Sequence, residues 1–148
     1  MTDQKIEIGT SAELLAASDE MRRKVFIDEQ GIPEDEIFDG FNSQAIHIVA
    51  YDGIFPVATS RVRLLSDNGK SYQIGLVAVD KPRRDQHLGE KMMKVAIEYV
   101  ASHGGSEILL TAQQQAFGFY KKIGFEPCGV ADALESGFVL VPMKYTIV

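Results

Sequence analysis

The run Val77-Ala78-Val79-Asp80-Lys81-Pro82-Arg83-Arg84-Asp85-Gln86-His87-Leu88-Gly89 has the chemistry of an anion site. An apolar strand enters a tight loop and then a helix. Such a junction aims backbone N–H groups at one spot, and the helix dipole adds positive potential there. Lys81, Arg83 and Arg84 reinforce it. The Gly-Lys-Ser/Thr ending of a P-loop is absent, and Gly89 is the run's one glycine, so this is not a dinucleotide fingerprint either. On geometry alone, a phosphate loop and a plain connection stand as equal readings.

Other residues could move protons or bind charge. Arg61 and Arg63 share one strand face, and since a charged pair aimed into a core is costly, they face solvent or a site. His47, between Ile46 and Ile48, has an ordinary pKa of about 6.5, suited to proton transfer; a hydrogen-bonded structural histidine is the plainer reading. Glu29 and Asp39 are surface carboxylates by default. Glu34-Asp35-Glu36 with Asp39 could attract a cation or form a solvated loop. His47, His87, His103 and Cys128 lack metal-ligand spacing. Cys128 reads as a small buried residue, and Arg22-Arg23-Lys24 as a solvated helix face.

The elements that must position these residues follow from periodicity. Residues 5–9 alternate as a short strand, and Thr10 with Glu13 matches a capping box. A helical region runs from about Ser11 to Gln30, with Met21, Val25 and Phe26 on a buried stripe, and Gly31-Ile32-Pro33 ends it. Residues 34–43 are acidic and irregular. Ala45–Tyr51, Val57–Leu65 and Tyr72–Val79 are strand-like and separated by Asp52-Gly53 and Asp67-Asn68-Gly69, so they predict an antiparallel meander whose third strand is central and buried on both faces. From Leu88 to Val100 the apolar period is helical, and Gly104-Gly105 closes the helix. Glu107–Ala112 is a strand, so residues 72–112 form a strand–helix–strand unit with locally parallel pairing. A helix over about Ala116 to Ile123 and strands at Phe125–Val130 and Phe138–Ile147 complete a mixed α/β (α+β) layer fold.

Composition bounds the function. The chain has 148 residues, an apolar share of 45%, a charged share of 24% and a formal charge of −6. These values fit one globular domain over residues 1–148 and exclude a disordered or collagenous chain. The acidic balance disfavours nucleic-acid binding, which depends on neutralising phosphates. One cysteine allows no intrachain disulfide, no apolar run approaches membrane-span length, and the polar start Met-Thr-Asp-Gln-Lys lacks a signal peptide's core. A cytoplasmic protein without membrane or nucleic-acid partners is the expectation.

Six pieces occur in a telling order: Val25-Phe26 before Glu29-Gln30 and Pro33; Ala45-Ile46-His47; Arg61-x-Arg63-Leu64; Arg84 through Gly89; Leu110-x-Ala112-Gln113; and Phe119-Tyr120-Lys121-Lys122-x-Gly124-Phe125. Together they resemble the small bacterial ElaA/YjcF-like branch of the GNAT (Gcn5-related N-acetyltransferase) superfamily, from about residue 20 to residue 143. Arg84 and Gly89 match the ends of that family's Arg/Gln-x-x-Gly-x-Gly/Ala loop. His87 stands where the pattern has glycine, and Phe138, Val139 and Leu140 stand where the branch has Ile-Pro-His.

The resemblance implies a mostly antiparallel sheet of about seven strands whose fourth and fifth strands splay apart. It implies acetyl-CoA as cosubstrate and no metal. The pantetheine arm would add to Val77, Ala78 and Val79, and the pyrophosphate would sit on Arg84, Asp85, Gln86, His87, Leu88 and Gly89. Gln113, Phe117 and Tyr120 would complete the cofactor contacts. An acetyl group would pass directly to the primary amine of a small molecule, with Tyr120 giving the leaving thiolate a proton. Glu29, Asp39 and His47 are the candidate bases, and Arg61, Arg63 and Asp39 the candidate acceptor-site residues. A non-catalytic acyl-CoA-binding module with a degenerate pyrophosphate loop is the alternative, and either a monomer or a homodimer is compatible.

Overall fold

The strand-like stretches form one continuous sheet. In the computed structural model, which describes residues 4–133 and 137–147, β1 (Gln4–Gly9), β2 (Ile46–Asp52), β3 (Phe55–Leu64) and β4 (Ser71–Val79) pair antiparallel in sequence order. β5 (Glu107–Gln113) runs parallel to β4, as the crossover requires, and β8 (Val139–Thr146) is antiparallel to β5. The expected strand at Phe125–Val130 is instead two short ones, β6 (Glu126–Pro127) and β7 (Asp132–Ala133), both paired with the outer edge of β8. The sheet therefore has eight strands, one more than predicted. Met1-Thr2-Asp3 of the polar start lie outside the described residues.

Helices cover both faces. α3 (Leu88–Ser102) turns Leu88, Met92, Met93, Ala96 and Val100 inward against Ile48, Val62, Ile74 and Ile108, all but excluded from solvent. On the other face α1 (Ala12–Arg22) continues into a π-helical stretch, Arg23–Glu29, and Met21, Val25 and Phe26 meet Ile32, Ile37 and Ala78. Ser11, rather than Thr10, caps α1: its hydroxyl accepts from the Leu14 amide at 3.2 Å. The acidic segment is more ordered than expected, with a one-turn α2 (Glu34–Ile37) and a 3-10 turn at Asn42–Gln44. α4 (Phe117–Ile123) follows β5 through the 3-10 turn Gln114–Ala116.

Three expectations change. Arg22 is not on a solvated face: helical phase turns it under the sheet, and it is completely buried. Cys128 is exposed, because the chain after β6 lies outside the core. β4 is central but not buried on both faces; buried and half-buried residues alternate along it. The half-buried side faces a cavity. Among the described residues, no helix is long and apolar enough to cross a membrane.

The turn between α3 and β5 is sterically constrained at Gly105. A Cβ there would lie against the Val100 side chain and 2.9 Å from Tyr72 Cδ1, both well packed. Gly105→Ala is expected to destabilise the fold by about 1–3 kcal/mol through overpacking, measured as a lower denaturant midpoint at unchanged m-value.

Candidate active site

β4 and β5 pair only at Ser71–Gln73 with Glu107–Leu109. Beyond that ladder the strands separate, and the β5-facing backbone of Ile74–Val79 is left without a strand partner. β4 also carries a bulge: Leu76 and Val77 together stand opposite Ser60 of β3, and Leu76 holds a left-handed φ of 50°. Such a conformation costs a branched residue about 1–3 kcal/mol and persists only where the surroundings fix it. The opening is a cavity of about 690 Å³. Gly75, Leu76, Val77, Ala78 and Val79 form one wall, with Leu110, Thr111 and Gln113 across from them. Gly75 pairs with Arg61, and a Cβ at Gly75 would meet no atom within 4 Å, so the glycine keeps this part of the cavity wide.

The π-helical stretch straps the two limbs of the opening. Its wider turn ends with Glu29 and Gln30, and Gly31 at φ 74° turns the chain away. Arg84 donates to both carboxylate oxygens of Glu29, at 2.6 Å each, and to the Val79 carbonyl at 3.1 Å. Gln113 Nε2 donates to Gln30 Oε1 at 2.8 Å, with the reciprocal bond at 3.3 Å. Neighbouring residues thus tie the loop after β4 and the end of β5 to one helix end. Glu29 is consequently a poor base: the hydrogen bonds from Arg84, with the charges of Arg84 and Lys81, hold its carboxyl below the usual range despite some burial.

The predicted loop is a 3-10 turn, Lys81–Gln86, leading into α3. His87 takes the left-handed conformation at φ 59°, which explains why glycine suits the position. Its side chain is 76% exposed with Glu90 as its neighbour, and so does not fill the cavity. Leu88 belongs to the core, whereas Gly89 lines the cavity. A Cβ on Gly89 would lie 3.2 Å from Phe119 Cζ, so the glycine lets α4 approach α3. Asp85 and Gln86 lie in the turn and are not on the cavity wall; Arg84 is.

Tyr120 lines the cavity from α4, edge-on to Phe119 and Phe125 with ring centroids 5.0 and 6.1 Å away. Burial pushes its pKa up to about 12, so at neutral pH the phenol is protonated. Phe117 packs on the main core instead of lining the cavity. Ala116 and Phe119 supply the α4-side wall.

Beside the cavity lies a buried polar cluster joining α1, β2, β3 and the 3-10 turn. Arg22 donates to Asp19 Oδ1 at 3.0 Å and to His47 Nδ1 at 2.9 Å. His47 Nε2 donates to the Asn42 carbonyl at 2.7 Å. Asn42 Nδ2 donates to Asp19, and its Oδ1 accepts from Arg61 at 3.0 Å. Arg61 also grips both oxygens of Asp39, at 2.9 and 3.0 Å. Both His47 nitrogens are therefore engaged, and His47 is not among the residues lining the cavity. Asp39 is likewise committed: burial would raise its pKa, but hydrogen bonds from Arg61 and the Phe41 amide, with Arg61's charge, outweigh that and lower it. Arg61 lines the cavity; Arg63 does not, and stacks 3.8 Å over the Phe41 ring.

Several residues of this region escaped the sequence reading. Gln73 and Gly75 sat inside an apolar-looking strand, although Gly75 is a recognised signal of close approach or a bulge. Asn42 and Arg22 matter through partners distant in sequence, and no local pattern marks them. Among the described residues, no group of three or more His, Cys, Asp or Glu could hold a metal ion.

The His47 geometry fixes a pH dependence. Burial, followed by the charges of Arg22 and Arg61, holds its pKa below the usual value; the bond to Asn42 offsets only part of this. The unfolded chain takes up the proton near pH 6.5 while the folded ring stays neutral, so stability falls as pH drops through that value to the lower folded pKa. Gln can accept from Arg22 and donate to Asn42 without ionising. Denaturant midpoints between about pH 7.5 and 5.5 are expected to fall less in His47→Gln than in the wild type.

The family model for the acetyltransferase (GNAT) domain matches residues 11–147. YjcF of Bacillus subtilis, described as an uncharacterized N-acetyltransferase, is 35% identical over 133 residues, covering 90% of this chain and 93% of that protein. The crystal structure of Escherichia coli ElaA shares the fold with a TM-score of 0.84 at 24% identity, over 97% of this chain and 99% of that one. An aminoglycoside 6'-N-acetyltransferase complexed with coenzyme A shares it with a TM-score of 0.76 at 17% identity, over 97% of each chain. The splayed pair, the bulged strand and the turn leading into α3 are thus parts of an acyl-CoA N-acyltransferase fold, and the chain belongs to the GNAT acetyltransferase family, on its ElaA/YjcF-like branch.

Proposed function

We propose that the protein transfers the acetyl group of acetyl-CoA to a primary amine of a small molecule by direct attack. The observation carrying this reading is the parted β4–β5 pair, whose unpaired backbone borders a cavity with a protonated tyrosine in its wall. The open edge at Val77, Ala78 and Val79 suits the amides of a pantetheine arm, which can continue the ladder where β5 has left it. The turn at Arg84 to Gly89, at the start of α3, suits the pyrophosphate, since N–H groups and the helix dipole favour anions there.

Acetyl-CoA supplies an activated thioester carbonyl. The chain's own residues orient and protonate. The neutral acceptor nitrogen forms the C–N bond, the C–S bond breaks, the nitrogen gives up its surplus proton to water, and the sulfur takes a proton. Tyr120 fits that last step, because burial keeps its proton in place until a thiolate appears beside it. The Glu29–Arg84 and Gln30–Gln113 bonds hold the limbs at a set separation, which favours a fixed reacting geometry.

Titration with acetyl-CoA is expected to give saturable binding in the micromolar range, about −8 kcal/mol, and an amine panel should give thiol release. Tyr120→Phe should lower kcat roughly a hundredfold or more, with acetyl-CoA affinity nearly unchanged. Tight binding with no thiol release across the panel would instead make the protein a non-catalytic acyl-CoA-binding module. Absence of binding by folded protein would overturn both readings.

A further inference from the structure

The sheet ends at β1 with backbone hydrogen bonds unspent. Among the described residues β1 pairs only with β2, so one side of its backbone meets no strand. The phase of the ladder says which groups those are. Asp52 and Phe55 flank the two-residue turn Gly53-Ile54 and form a hydrogen-bonded pair. The extra residue of the adjoining bulge, Val57, lies on β3, so β2 keeps its alternation. The backbone groups of Tyr51, Val49 and His47 therefore turn toward β1. Their partners Lys5, Glu7 and Gly9 spend their own groups on them. The N–H and C=O groups of Gln4, Ile6 and Ile8 point out of the sheet.

The side chains along this edge sort by face. Ile6 and Ile8 stand opposite Ala50 and Ile48 and so share the face that α3 covers, yet they remain 37% and 42% exposed. On the other face Lys5 and Glu7 pair with each other at 2.7 Å. An edge strand of this kind templates pairing with another chain unless its charges prevent it. Here the charges select. Two copies stacked parallel and in register would set Lys5 on Lys5 and Glu7 on Glu7. A two-fold antiparallel pairing centred on Ile6 instead sets Lys5 opposite the partner's Glu7 and Glu7 opposite the partner's Lys5, a square of alternating charge. Centring on Lys5 or on Glu7 would bring like charges together, and centring on Ile8 would leave both without a mate. The Ile6 register also meets the hydrogen-bond phase. Ile6 exchanges two backbone bonds with the partner's Ile6, and Gln4 does so with the partner's Ile8. The isoleucines of the two copies then form one apolar row.

We propose that the outer edge of β1 is a self-association surface whose partner is a second copy of this chain, paired antiparallel about a two-fold axis at Ile6. The two sheets then join into one, and each edge satisfies the unpaired N–H and C=O groups of the other. The strip from Gln4 to Ile8 is small beside the roughly 1,200–2,000 Å² of a standard interface, so the dimer is weak, with a Kd of about 10–500 µM. β1 lies three strand spacings from β4, about 14 Å, so the cavity between β4 and β5 stays open in the dimer. Self-association of this kind is independent of the acetyltransferase reading.

The test is sedimentation of the full chain from about 5 µM to about 1 mM, a range that brackets the expected Kd. The wild type should pass from monomer to dimer across it. Lys5→Glu and Glu7→Lys each set like charges opposite one another in both halves of the interface, and each should weaken association about tenfold or more. A one-to-one mixture of the two variants restores opposite charges at every pair and should associate again. The double variant Lys5→Glu/Glu7→Lys should associate by itself. Circular dichroism checks that each variant is folded. Amide exchange of the wild type, followed by NMR, needs no substitution. The Ile6 and Ile8 amides should exchange more slowly as concentration rises, while those of Lys5, Glu7 and Gly9, already bonded to β2, should not change. A wild type that stays monomeric to about 1 mM overturns the proposal. So does a dimer whose affinity either single variant leaves unchanged, a mixture that stays monomeric, or concentration-dependent protection that misses Ile6 and Ile8.

Discussion

Every peptide group in a sheet interior needs a partner, and the arrangement of this protein turns on the place where β4 loses its own. The ladder to β5 stops at Gln73 and Leu109, while β4 runs on to Val79. A bare edge in the middle of a sheet is costly if nothing else satisfies it. Here the edge opens onto a cavity, and the bulge at Leu76 and Val77 bends the strand away from its former neighbour. The strained φ of Leu76 is tolerable because β3 grips β4 on both sides of the bulge, through Arg61–Gly75 and Thr59–Ala78. The separation is therefore built in by pairing on the β3 side.

A cleft between two strands would tend to close or widen without bracing. The π-helical stretch supplies the bracing from above through two adjacent side chains. Glu29 holds the β4 limb through Arg84, and Gln30 holds the β5 limb through Gln113. Hydrophobic packing beneath fixes that helix end, with Val25 and Phe26 against Ile32, Ile37 and Ala78. Polar contacts at the mouth and apolar contacts below share the work of keeping a fixed opening. Such preorganisation is where an acyl-transfer site gains most of its advantage over solution.

The buried arginines follow the same logic. Arg22 and Arg61 lie under 5% exposed, yet each meets a carboxylate and the shared hub of Asn42 and His47. Burial lowers the Arg22 pKa to about 10, still charged at neutral pH, so removing either partner would leave a bare cation inside the protein. The cluster links α1, the acidic segment and strands β2 and β3. It thereby anchors the acidic segment at Asp39 and Asn42, while Ile37 packs α2 with Val25, Phe26 and Ile32.

The sequence by itself determined the order of the main elements, the parallel crossover, the sheet's central strand and the ordered pieces that resemble the family. These depend on periodicity, turn residues and local motifs, which are written within short windows. Tertiary structure decided the rest. It placed Arg22 inside and Cys128 outside, moved the cap of α1 from Thr10 to Ser11, and divided the strand after α4 into two. It also took Glu29, Asp39 and His47 into fixed partnerships and brought Glu36, Arg61 and Gln73 into the lining of one cavity. The reason is physical: whether a charged side chain is a base, a clamp or a solvated surface group depends on what lies within about 4 Å of it. Those neighbours come from elements distant in the chain, and no local pattern in the sequence records them.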